Sequence, residues 1–144
     1  MNTIKSIVVV AGLLLAGMLQ AAEAVTGTLY KNPQCGCCTG HAEYLREHGY
    51  EIKVVESHRL AELKREQGVP PSLESCHTLI IDGYVVEGHV PVASIRKLLA
   101  ERPAIRGIAL PGMPQGSPGM SGTKTQPFRV MELSAGMPRI FSTE

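Results

Sequence analysis

The chain has no tryptophan, and only two phenylalanines and four tyrosines occur among its 144 residues. A core built on stacked rings is therefore excluded, and Val, Ile and Leu must fill the interior. Charge of one sign is also missing: 14 Lys and Arg against 13 Asp and Glu leave a net charge of +1. That balance excludes the basic footprint of a nucleic-acid binder and the basic face of a protein held electrostatically on a membrane. Long apolar runs are scarce too. The single candidate, Ile7 to Leu19, covers about thirteen residues, which is short for a bilayer span.

That run is flanked by Lys5 on one side and by Ala22-Glu23-Ala24 on the other. A positive start, an apolar middle and a small-x-small end make a secretory signal peptide over 1–24, cleaved after Ala24. The expected mature chain is about 120 residues, enough for one domain with a modest core. It would be exported, with no membrane segment after cleavage. Removing one Lys and one Glu with the signal leaves the net charge unchanged.

Apolar periodicity and turn signals give the order of elements. Thr26 to Lys31 reads as a strand that stops at Asn32-Pro33. The loop QCGCCTG leads into a helix from His41 to His48, with Gly49 as its stop. Tyr50 to Val55 is a second strand. Ser57 is placed to cap a helix from His58 to Gln67, ended by Gly68. Thr78 to Ile81 and Tyr84 to Glu87 are β-branched runs joined by Asp82-Gly83, a strong hairpin signal. Pro91 opens a last helix that Pro103 stops.

The order strand–helix–strand–helix–strand–strand–helix is the thioredoxin-like α/β plan, with a right-handed crossover in its first βαβ unit. Residues 25–103 suffice for it. Residues 104–144 differ: eight of the sixteen residues from Gly107 to Gly122 are Gly or Pro, so regular structure is not expected there. Pro-Gly-Met nevertheless occurs at 111–113 and again at 118–120, which predicts a wrapped extension packed on or near a site rather than a disordered tail. Phe128 to Leu133 reads as a short final strand.

Four cysteines carry the chemistry. Cys35, Cys37 and Cys38 lie between a strand and a helix start, where free backbone N–H groups and the positive dipole end stabilise thiolate. Cys76 precedes the third strand by two residues. In thioredoxin-like folds a cis-proline stands before that strand and faces the reactive pair; here His77 occupies its place. The register therefore brings Cys76 and His77 to Cys35, Cys37 and Cys38.

Three uses of four converging thiols stay open on the residues alone. Two disulfides could staple an interaction domain, an option against which the adjacency of Cys37 and Cys38 counts. Cys35 and Cys38 could act as a thiol–disulfide oxidoreductase, a role in which Cys37 has no use and the missing proline counts against substrate binding. The third use, which the residues favour, is a soft metal. Three cysteines within four positions make a poor tetrahedron around one zinc but can bridge several Cu(I) ions. Thioethers add soft donors, and Met113 and Met120 stand in the Gly/Pro segment that can fold over the site. His41, one turn beyond Cys38, and His77 and His89 are further candidate ligands; His48 and His58 read as surface residues. Met131, in a strand-like run, reads as core.

The stretches YKNPQCGCC, SCHT, VVEGHVP and LPGMPQGSPGM together resemble the CopG-type copper-resistance proteins, a bacterial family long catalogued as a domain of unknown function. The resemblance extends to about residue 122. It implies a thioredoxin-like fold, a periplasmic location and copper handling, with Cys35, Cys37, Cys38 and Cys76 as thiolate ligands and His and Met nearby. The expected cargo is Cu(I), several ions per chain, with a copper redox role as a further possibility. The expected partners are copper ions and other periplasmic copper-handling proteins.

Overall fold

A computed structural model describes residues 24–144. The signal-peptide assignment falls almost wholly outside the described residues. The elements are β1 (Thr26–Lys31), α1 (Gly36–Glu47), β2 (Glu51–Glu56), α2 (Leu60–Glu66), a 3-10 turn (Pro71–Leu73), β3 (His77–Ile81), β4 (Tyr84–Glu87), α3 (Val92–Glu101), β5 (Gly107–Ala109), β6 (Arg129–Leu133) and β7 (Ile140–Thr143).

All seven strands form one sheet in the order β2-β1-β3-β4-β5-β6-β7. β1 and β2 pair in parallel across α1, and β3 runs antiparallel to β1. This is the α/β connectivity expected from the sequence. The β3–β4 hairpin turns on Asp82 and Gly83, both at positive φ (48° and 81°), as a two-residue turn matched to the strand twist requires. Among the described residues no helix is long and apolar enough to cross a membrane.

Strand alternation divides the interior into two layers. On one face, Leu29, Leu79, Ile81, Val86, Ile108 and Val130 pack with Ala42 and Leu45 of α1 and Ile95 and Leu98 of α3. On the other, Val85, Ala109 and Leu133 pack with Val69 and Leu73, from the segment that follows α2. His77 shares the first face with Leu79 and Ile81. Thr78 and Glu87 point to the second, where α2 supplies Lys64.

Four sequence expectations are corrected. The first helix begins at Gly36, not His41, so Cys37 and Cys38 lie in its first turn and Cys35 stands at its N-cap position without a side-chain cap bond. The second begins at Leu60; Ser57 accepts a bond from the Arg59 N–H at 3.1 Å but does not cap the helix. Residues 107–109, expected to be irregular, form β5 between β4 and β6. Gly107 fits there because a side chain would not: a Cβ would fall 1.8 Å from the Val85 carbonyl oxygen. Lastly, β6 is not the final strand, since β7 pairs with it antiparallel. Residues 110–127 carry only an isolated bridge between Ser75 and Gly112 and are otherwise turns and irregular chain.

Candidate metal centre

The start of α1, the start of β3 and the turn before α3 meet at one end of the sheet. Cys35 is the N-cap in extended backbone (φ −82°, ψ 92°), with no side chain bonding the free N–H groups of the first turn. His77 enters β3 opposite Lys31, and Cys76 is the residue just before the ladder. No peptide bond is cis among the described residues, so the turn before β3 is held without the proline geometry.

The four sulfurs lie within 4.8 Å of one another. Cys35 and Cys38 are joined as a disulfide, while Cys37 and Cys76 are thiols. Cys37 Sγ lies 3.5 Å from Cys35 Sγ, and Cys76 Sγ lies 3.5 Å from Cys38 Sγ. Two staples are therefore not what the fold contains. The bonded pair is the one an oxidoreductase would use, with a free thiol at each of its sulfurs.

Three buried histidines form a second group whose ligand atoms also lie within 4.8 Å of one another. Their protons can be assigned from their partners, because a carbonyl only accepts. His41 Nε2–H donates to the Val90 carbonyl at 3.0 Å, leaving Nδ1 to accept from His77 Nε2–H at 2.8 Å. His77 Nδ1 then presents a lone pair to Cys76 Sγ at 3.2 Å. His89 Nδ1–H donates to the Pro118 carbonyl at 2.7 Å, so its Nε2 also presents a lone pair to Cys76 Sγ, at 2.9 Å.

One S–H proton cannot serve two imidazole acceptors. Charging does not resolve the shortage. Burial drives the His41 pKa down to about 3, against the bond to Val90 and with help from His89. Burial, then the neighbouring His41 and His89, hold His77 well below the ordinary imidazole range, and burial lowers His89. Burial and then the Cys37 thiol push Cys76 up to about 12. Two imidazole nitrogens and a sulfur thus converge with fewer protons than lone pairs, as a ligand set for a soft cation does.

A search of curated proteins returns no match. The family described as "Protein of unknown function, DUF411" matches residues 73–120, the segment holding Cys76, His77 and His89. Two solved structures of a protein titled "Copper resistance protein copG", form 2 and form 1, superpose with TM-scores of 0.79 and 0.78. Each is 37% identical, and the match covers 85% of this chain and 99% or 98% of theirs. The chain belongs to the CopG copper-resistance family.

Within this CopG-family chain, Cys35, Cys37, Cys38, Cys76, His41, His77 and His89 are brought together, and His48 and His58 stay outside the cluster. His48 instead donates to the Tyr44 carbonyl at 2.7 Å. The extension does pack back, but through its backbone. Gly119, at φ +80°, rests so closely on α1 that a Cβ would fall 2.4 Å from the His41 nitrogen and 2.8 Å from the Cys37 oxygen. Met120 follows it, half-buried; Met113 is 54% exposed and adjoins Gly112, which bridges to Ser75. The Pro118 and Val90 carbonyls, which set the histidine tautomers, were invisible to motif reading because a carbonyl belongs to every residue. The Pro-Gly-Met recurrence marked the segment without marking the atom.

Proposed function

We propose that this chain is a periplasmic copper-resistance protein that takes Cu(I) as cargo in a cluster of several ions. The carrying observation is the convergence of four sulfurs with the free nitrogens of His77 and His89. Cys35, Cys37, Cys38 and Cys76 would supply the thiolates, and His77 Nδ1 and His89 Nε2 the imidazole donors. His41, with both nitrogens engaged, would orient His77; to ligate directly it would have to release one of those bonds. Met120 and the more exposed Met113 would add thioether donors from the extension. The signal-like N-terminus supports export, and the Cys35–Cys38 disulfide suits an oxidising compartment.

Loading requires the disulfide to be opened: two electrons and two protons convert it to two thiols, with a thiol reductant oxidised in exchange. Copper then displaces the thiol protons, so uptake releases acid. Cys37 decides between a cluster and a simple dithiol. A Cu(I) titration of the reduced protein is expected to exceed one ion per chain, and Cys37→Ser to lower that number by removing a bridging sulfur. A stoichiometry of one or less, unchanged by Cys37→Ser, would reject the cluster.

The disulfide favours a second reading, a thiol–disulfide oxidoreductase. It requires exchange activity that survives Cys37→Ser together with weak copper uptake in both proteins.

A further inference from the structure

Behind the cluster, on the opposite face of the sheet, lies a charged network that metal binding does not use. Glu87 is fully buried and Lys64 is 4% exposed, and the two form an ion pair. Glu87 Oε1 also accepts the Ser75 backbone N–H at 2.7 Å, and Oε2 accepts the Thr78 hydroxyl at 2.6 Å. Lys64 Nζ completes the set by donating to Thr78 Oγ1 at 3.2 Å.

Resting on the copper reading, we propose that Glu87, braced by Lys64, is a positioning residue that holds Cys76 and His77 in place for the metal. Ser75 and Thr78 bracket those two residues, and one carboxylate grips both brackets. The grip is needed because β3 starts at His77. Ser75 lies before the ladder, so no neighbouring strand takes its N–H, and Glu87 stands in for one. The same stretch of β4 returns to the site from the other side: Gly88 N–H donates to the His77 carbonyl at 2.9 Å, and His89 follows. Glu87 touches neither sulfur nor imidazole and acts through the backbone that carries them.

Packing does not explain the pair. Removing two charges from water is costly, and apolar side chains of similar size commonly replace such a pair with no loss of stability. What apolar residues cannot do is accept the Ser75 N–H.

Two double variants separate these roles. Lys64→Met with Glu87→Gln removes both charges but keeps an amide oxygen for Ser75. Lys64→Met with Glu87→Leu removes the acceptor as well. Both leave no unpaired charge, so both are expected to melt cooperatively. The Gln form is expected to take up Cu(I) in the wild-type number. The Leu form is expected to bind fewer ions and to compete roughly 10- to 100-fold less well against a Cu(I) chelator, the loss typical when ligand support is removed. Wild-type binding by the Leu form, or equal loss in both forms, overturns the proposal. Hydrogen exchange of the metal-free wild type needs no variant: the Ser75 amide is expected among the slowly exchanging amides, and exchange at an open-loop rate overturns the proposal outright. Should the wild type take up no Cu(I), the copper reading fails, and the Ser75 amide alone decides whether Glu87 holds the turn.

Discussion

The two faces of the sheet each bury a polar cluster beside Cys76, and the clusters are completed in opposite ways. On the α2 face, Lys64, Glu87, Thr78 and the Ser75 N–H match donors to acceptors, charge included. On the α1 face, three neutral histidines and a thiol leave more lone pairs than protons. A matched network resists change and gives a fixed frame. An unmatched one, held in register by backbone carbonyls, leaves lone pairs for a cation, which is what the copper reading requires of it. The contrast assigns the work: one face holds Cys76 still, and the other face uses it.

The largest test breaks the matched side. Glu87→Leu alone leaves the buried Lys64 ammonium without its counter-charge, with only the Thr78 hydroxyl beside it, and a loss of about 3–5 kcal/mol is expected in urea unfolding of the metal-free protein. Adding Lys64→Met should restore most of it. If the single variant is as stable as the double, Lys64 does not depend on the Glu87 charge and the pair is not a matched one.

Acid acts on the other face. His41 has a folded pKa of about 3, depressed below the unfolded imidazole value near 6.5. Between those values the unfolded chain binds the proton and the native protein does not, so stability rises with pH and is lost as pH falls below about 6.5. Each such group contributes a slope of about 1.4 kcal/mol per pH unit until the folded pKa is reached. Metal-free protein followed from pH 7 to pH 5 should therefore weaken steadily, and His41→Gln should reduce the slope by about one proton. A slope untouched by the substitution would place the acid sensitivity elsewhere.

The smallest expected effect sharpens the role of the extension. Gly119→Ala puts a methyl against the α1 backbone at a positive φ, with an expected cost of about 1–3 kcal/mol. Lifting the chain there should loosen the Pro118–His89 bond, so Cu(I) affinity should fall while the ion pair on the far face is undisturbed. Hydrogen exchange at Ser75 unchanged beside weakened copper competition would show the two faces acting independently; a fall in both would join them.

Much of this was legible in the residues. Asp82-Gly83 named its hairpin, Cys35 and Cys38 named a helix start, and the position of Cys76 before β3 placed it against them. The misses share a cause. β5 is three residues long and opens on Gly107, chosen for close approach and not for β-propensity. Lys64 reads as one more solvated charge in a Leu-patterned helix, and Glu87 as the polar end of a strand. Nothing local distinguishes them from their exposed neighbours Arg65 and Glu66.

The sequence by itself determined the inventory: which soft donors exist, which lie on a helix start and which precede a strand. These follow from spacing, because local geometry is periodic. Only the tertiary structure decided the protonation and support of those donors. The Val90 and Pro118 carbonyls select the imidazole nitrogens that face Cys76, and a carboxylate twelve residues along the chain from Ser75 holds its backbone. Hydrogen bonds between groups distant in the chain are set by how the layers close, and residue type does not encode that closure at any single position.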